Sequence, residues 1–164
     1  MEKQIFTAQI APLGGGYNGI ALPENVLEAV QKAGLKRVKV TIGPTVLHVA
    51  LFKIAELGTF VLFSKRAQKS LKIGPNSVFE VVLEVDDTEF QSPMPEELVE
   101  VLATDEDGER LFMALTDGRK RSLIYLILTV KSPDKRIERA FKIMEKLKMG
   151  ISDPQLIFKK EDAF

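Results

Sequence analysis

The chain has 164 residues, of which 45% are hydrophobic and 28% charged, a composition typical of a globular protein large enough to bury a core. Its 23 basic and 23 acidic residues give no overall field that would attract nucleic acid or an anionic membrane. The absence of cysteine excludes disulfides, thiolate metal sites and cysteine nucleophiles. With no signal-peptide pattern and no apolar run that could span a bilayer, we expect a cytoplasmic protein.

Alternation of apolar and polar residues predicts a first half built mainly of strands. The predicted strands are Gln4–Ile10, Tyr17–Leu22, Val38–Ile42, Val46–Phe52 and Val78–Val85. We interpret the three glycines at 14–16 as a hairpin loop, because no phosphate-loop motif is completed and a strand follows instead of a helix. One helix is predicted from Pro23 to Gly34, and a second begins near Ser64, a favourable N-cap.

This half contains an internal repeat. Residues 20–42 align without a gap on residues 60–82 after a shift of 40 positions, and Gly34 then matches Gly74. Each copy has the order strand, helix, glycine, strand, and such a unit leaves an apolar face that it cannot cover alone. Two copies facing each other cover that face. The repeat therefore predicts a pseudo-two-fold β-barrel of two strand-helix-strand repeats.

A change of composition separates this half from the rest of the chain. Residues 86–94 begin with acidic residues and end in a proline-rich linker. Beyond it, apolar residues recur at helical spacing, and helices are predicted to start at Pro95, Asp105, Thr116 or Asp117, and Ser132. The predicted fold class is α+β. Its predicted parts are a duplicated β-barrel domain at 1–90, an α-helical domain at 91–150, and a tail at 151–164 that packs back on the fold.

Several segments are shared with a known family. The N-terminal half has a glycine-rich loop ending in an aromatic at Gly14–Tyr17, a helix start at Leu22–Pro23 and a strand at Val38–Gly43. The helical half contains, in order, MPEELVEVL, LFMALTDGRKRSLIYLI and VKSPDKRIERAFKIMEKLKMG. Over residues 6–150 the chain resembles the YdeI/OmpD-associated, or bacteriocin-protection, family with its N-terminal domain of unknown function. The resemblance implies an uncharacterised protein with a stress-protective role.

The basic residues of the helical half suggest an anion site. Residues 119–148 carry ten basic and three acidic residues, whereas residues 94–118 carry one basic and eight acidic, so the simplest interpretation is that these segments pack together. The basic residues nevertheless cluster at a helix start, where free N–H groups favour an anion. The candidate anion-binding residues are Lys131, Ser132, Lys135, Arg136 and Arg139.

The family resemblance bears on this cluster as well. Lys131, Arg136 and Arg139 fall on basic positions of the family. Lys135 departs from its pattern, because a threonine usually precedes that arginine. A helix-cap or ligand role of that threonine therefore does not transfer to this chain.

A DNA-binding alternative comes from the repeat, which resembles the swapped-hairpin barrels of the regulator AbrB and the antitoxin MazE. Lys65, Lys69 and Lys72 recur at i, i+4 and i+7, which predicts one basic helix face. The equivalent positions of the first copy, Asn25 and Ala29 among them, are mostly uncharged. A two-fold protein that grips duplex phosphates needs basic residues in both copies, so this asymmetry argues against a nucleic-acid partner.

Catalysis is the third alternative. An enzyme would need a pocket that gathers Tyr17, the single histidine His48 and a carboxylate such as Glu80, or an unrecognised site between the two domains. We interpret His48 as a structural or surface histidine, because the chain supplies no matching triad or metal-ligand set. We assign no catalytic residue, metal or cofactor. The favoured hypothesis is a non-enzymatic cytoplasmic protein that binds an anionic small molecule or a protein partner.

Overall fold

The computed structural model describes residues 1–159, which form seven strands and seven helices in an α+β fold. The chain divides into two compact units, a β unit of residues 1–87 and a helical unit that begins at Thr88. The last five residues of the predicted tail, 160–164, lie outside the described residues. No helix within residues 1–159 has both the length and the apolar character needed to cross a membrane.

The β unit contains all seven strands and two helices. The strands are β1 Gln4–Gln9, β2 Ala11–Gly14, β3 Tyr17–Ala21, β4 Arg37–Ile42, β5 Thr45–Ile54, β6 Gly58–Phe63 and β7 Val78–Val85. The helices are α1 Glu24–Lys32 and α2 Lys65–Leu71. The strand–helix–strand order predicted for both copies is present, as β3-α1-β4 and β6-α2-β7.

The strands form one antiparallel sheet in the order β1-β7-β4-β5-β6-β3-β2. The two outer strands, β1 and β2, are joined by a single residue, Ile10, which is buried. Because a single residue connects strands at opposite edges of the sheet, the sheet must curl so that these edges come together. The result is a curled half-barrel, and among the described residues no ladder of hydrogen bonds joins β1 to β2.

Strand β2 is a difference from the sequence prediction, which placed no strand between Ile10 and Tyr17. Residues 11–14 pair with β3 instead, with Ala11 opposite Gly19. The hairpin interpretation of the glycines is confirmed, since Gly14 at the end of β2 and the two residues that join it to β3, Gly15 and Gly16, all have positive φ. Proline is tolerated in β2 because the strand lies at the sheet edge, where its missing N–H breaks no ladder.

The core of the β unit lies on one face of the sheet. Val38, Val40 and Ile42 are the buried members of the alternating strand β4, and α1 contributes Val26 and Val30, one helical turn apart. The backbones of β3 and β6 approach closely beside this core. A Cβ atom on Gly19 would lie 2.5 Å from the carbonyl oxygen of Val61.

The helical unit packs five helices around its own core. They are α3 Glu96–Thr104, α4 Glu106–Met113, α5 Asp117–Leu128, α6 Pro133–Lys148 and α7 Pro154–Ile157. The predicted helix starts are confirmed: the side chains of Asp105, Thr116 and Ser132 cap α4, α5 and α6. The apolar segment from Ser122 lies in α5, which buries Leu123, Ile124 and Ile127 but leaves Tyr125 exposed, and Ile157 of α7 is fully buried in the same core.

Candidate functional site

The predicted anion-binding residues lie at the beginning of α6. The Ser132 hydroxyl accepts a hydrogen bond from the Lys135 backbone N–H at 3.5 Å, which caps the helix. Lys131 and Lys135 are exposed, whereas Arg136 and Arg139 are partly buried. The five residues therefore adjoin one another, but their charged groups do not share one environment.

The two arginine side chains bind the C-terminal end of α5. Arg136 Nε donates to the Val130 carbonyl at 2.9 Å, and Arg139 Nη1 donates to the Leu126 carbonyl and to Thr129 Oγ1. The Leu126 carbonyl belongs to the last turn of α5, where carbonyls have no backbone partner within their helix and carry partial negative charge, so the Arg139 guanidinium stabilises it. The Val130 carbonyl that Arg136 binds lies just beyond the helix. The anion site remains a prediction, with Lys131 and Lys135 as its solvent-facing charges.

Ion pairs connect the acidic and basic segments, which confirms that these segments pack together. Arg136 Nη1 lies 3.7 Å from Glu97 Oε1, and Lys148 Nζ lies 2.6 Å from Asp105 Oδ2. The Lys148 hydrogen bond, followed by one from the Gly108 backbone N–H, lowers the pKa of Asp105 below its usual 3.8. Asp105 therefore stays ionised in mild acid and keeps both its ion pair and its capping role.

The predicted basic face of α2 is only partly helical. Lys65 and Lys69 are exposed on α2, but the helix ends at Leu71, and Lys72 adopts a left-handed conformation with φ 53° and ψ 34°. Lys72 therefore does not continue the row of the other two lysines. The sequence predicts that Gly74 ends this helix. In the structure the helix ends earlier, at Leu71.

The three groups proposed for an enzyme are not brought together. Glu80 lies on β7, His48 on β5 and Tyr17 on β3, which are the second, fourth and sixth strands of the sheet. Neighbouring strands are about 4.8 Å apart, so roughly 10 Å separates successive members of the set. His48 Nδ1 instead lies 2.8 Å from Asp86 Oδ2, and the two side chains are only 10% and 0% exposed. The His48 side chain is therefore mostly buried against Asp86, the partner that the sequence did not reveal.

The β unit contains a groove of about 660 Å³, here called the Lys72 groove. It is lined by residues 41–45 around the β4–β5 turn, by residues 70–73 at the end of α2, and by Phe79, Glu80 and Val82 of β7. Apolar side chains form much of its wall, and two opposite charges, Lys72 and Glu80, lie on it. Sequence reasoning assigned these charges to two separate hypotheses, Lys72 to DNA binding and Glu80 to catalysis, because a sequence does not show which side chains share a groove.

Lys72 occupies a backbone position that the first copy gives to a glycine. After α1, Gly34 has φ 65° and the next N–H, that of Leu35, bonds to the carbonyl five residues back. After α2, Lys72 has φ 53° and the N–H of Ile73 makes the same bond to Gln68. Both ends are therefore Schellman-type caps, and glycine is favoured at their left-handed position. A side chain there costs about 1–2 kcal/mol.

Comparison with known protein families finds one match in each unit. The family described as bacteriocin-protection, YdeI or OmpD-associated matches residues 91–150, and the domain of unknown function DUF1905 matches residues 6–83. The chain belongs to the YdeI/OmpD-associated family. In this family member the predicted anion-binding residues at the beginning of α6 lie in the YdeI/OmpD-associated region. The Lys72 groove lies in the domain of unknown function. No curated protein matches the chain.

Proposed function

We propose that the protein is a non-enzymatic binding protein, and that the Lys72 groove takes a small molecule with an acidic group. The groove volume of about 660 Å³ falls within the range of about 300–1,000 Å³ found for small-molecule sites. Its apolar wall residues, among them Leu71, Ile73 and Phe79, provide contact area. Its few polar groups provide orientation.

The observation that carries the proposal is the left-handed Lys72. A strained residue persists when something outweighs its cost, and strained positions cluster at ligand sites. The first copy solves the same backbone problem with Gly34, so the fold itself does not need a lysine there. What Lys72 adds to the groove is an ammonium group, which pairs with a carboxylate or phosphate.

The remaining polar groups of the groove narrow the ligand class. The Glu80 carboxylate and the last carbonyls of α2 are negative, so they favour a hydrogen-bond donor such as an amino group on the same ligand. A polyanion would be repelled by Glu80. The proposed ligand is therefore a small molecule that combines one acidic group with a donor, as amino acids do.

Binding should depend on the Lys72 ammonium. We expect a small amino acid or related acid to raise the melting temperature of the wild type, because a ligand at 100 times its Kd stabilises the folded state by about 2.7 kcal/mol. Lys72→Met keeps the strained backbone but removes the charge, and should lose the shift. The measurement is a thermal-shift assay with small carboxylates, with and without an amino group, and small phosphates.

Lys65→Met is the matched control, since Lys65 is an exposed lysine at the start of α2 that does not line the groove. It should respond to the ligand as the wild type does. The proposal is wrong if no compound stabilises the wild type, or if Lys72→Met responds as strongly as Lys65→Met.

The strain at Lys72 predicts a second, ligand-free result. Lys72→Gly should raise the free energy of unfolding of the β unit by about 0.5–1 kcal/mol, because relief of the left-handed conformation exceeds the greater chain entropy of glycine. Urea unfolding without ligand measures it. Lys69→Gly, inside α2, should instead lower stability by about 1 kcal/mol. Equal destabilisation by both substitutions would contradict strain at Lys72.

We also infer that the two copies are related by a pseudo-two-fold axis. In support, β3 pairs with β6 so that Ile20 lies opposite Val61 and Ala21 opposite Phe60. After the 40-residue shift these pairs are exchanged equivalents, as a two-fold axis requires, and β4 pairs with β7 in the same antiparallel sense. The copies then share a scaffold and differ in the left-handed residue that follows the helix, which is Gly34 in the first copy and Lys72 in the second. The cytoplasmic location expected from the sequence and the stress-protective role that the family resemblance implies belong to the same proposal.

A further inference from the structure

The outward face of α6 carries alternating charges beside exposed apolar side chains. Phe141 is 53% exposed and Met149 is 59% exposed. A groove of about 740 Å³ runs along this face. Its charged residues on α6, in chain order, are Glu138, Lys142, Glu145 and Lys148.

Most of these charges are not used within the chain. Lys148 pairs with Asp105, but Glu138, Lys142 and Glu145 have no ion-pair partner in the part of the chain that the structure describes. Their spacing of three or four residues would allow pairing along the helix. The face therefore offers charges of both signs next to solvent-exposed apolar surface, an arrangement suited to a partner helix.

The order of the charges identifies the partner. From Glu138 to Lys148 the signs alternate as negative, positive, negative, positive, and the same row read backwards begins with a positive charge. A second copy of α6 packed antiparallel therefore places Lys142 opposite Glu145, and Glu138 opposite Lys148. A parallel copy in register would place like charges together. We propose that this face binds a second copy of the chain through antiparallel α6 helices.

This arrangement satisfies the geometry of a symmetric dimer. A two-fold interface uses the same patch on both subunits, so every contact occurs twice. An axis between Lys142 and Glu145 makes the Lys142–Glu145 contact reciprocal and places Phe141 within one helical turn of the centre, where the partner covers it. Contact through one helix pair falls below the roughly 1,200–2,000 Å² of stable interfaces, so the dimer should dissociate on dilution. The inference is independent of the Lys72 groove.

The test is analytical ultracentrifugation of the full chain over a dilution series at low salt. The wild type should dimerise as concentration rises. Lys142→Glu should be monomeric, because it faces Glu145 of the partner twice. The double variant Lys142→Glu with Glu145→Lys restores opposite charges and should recover the dimer. Phe141→Ser should weaken it, and Tyr125→Ser, at a residue of α5 that is 57% exposed, should leave it unchanged.

The substituted side chains are all exposed, so each variant should fold, and circular dichroism checks that it does. A wild type that stays monomeric at every concentration overturns the proposal and leaves the face to a different partner. So does a dimer that Lys142→Glu leaves intact, or a double variant that fails to recover association.

Discussion

Arg139→Met should lower the free energy of unfolding of the helical unit by about 2–4 kcal/mol. The guanidinium donates to the Leu126 carbonyl and to Thr129 Oγ1, and lies 4.9 Å from the centre of the Phe158 ring. Removing it takes away the charged donor at the end of α5, so that the Leu126 carbonyl keeps only its bond from the Thr129 hydroxyl, and it also removes a cation–π contact. Urea unfolding followed by far-ultraviolet circular dichroism measures the change.

Lys135→Met provides the comparison, because Lys135 is exposed on the same helix and its substitution should change stability by less than about 0.5 kcal/mol. If Arg139 binds an anion instead of the end of α5, we expect a different result for Arg139→Met. The ligand-free variant would then be as stable as the wild type, and only a phosphate-induced rise in melting temperature would be lost.

Gly19→Ala should destabilise the β unit by about 3 kcal/mol. The added methyl group would lie 2.5 Å from the carbonyl oxygen of Val61, an atom of the neighbouring backbone that cannot rotate away. Relief requires β3 and β6 to separate, which weakens the hydrogen bonds between them. Denaturant unfolding of the β unit measures the loss.

Gly74→Ala is the matched substitution, since Gly74 lies in the same unit and a Cβ atom there has no neighbour within 4 Å. Its effect should stay within about 0.5 kcal/mol. An equally small effect at Gly19 would show that the two strands are not held at the observed separation.

Features set by neighbouring residues were predictable from the sequence. Strand β7 has the predicted bounds, Val78–Val85, because its alternation is uninterrupted. The helix starts at Asp105 and Ser132 were found because an N-cap bonds to a backbone N–H only two or three residues ahead. In each case the determining contact lies within a few residues of the pattern that signals it.

Features set by distant residues were not predictable. Asp86 meets His48 across the sheet from a position 38 residues away, and no local pattern indicates the pair. A charged helix start does not show that Arg136 and Arg139 are already bound to α5, because a free and a bound guanidinium look alike in a sequence. Lys72 was missed for a related reason: the glycine that marks helix ends lies two residues later, at Gly74.

The pairing of the first strand with the last has a consequence for synthesis. Strand β1 is bonded to β7, with Gln9 opposite Val78, so its partner leaves the ribosome roughly 70 residues later. At about 5–20 residues per second this interval lasts on the order of 4–14 s. During that time the N-terminal strand has no native neighbour on the side of β7. A nascent chain truncated before Val78 should therefore remain sensitive to protease at its N-terminus, and resistance should appear only once Val85 has emerged.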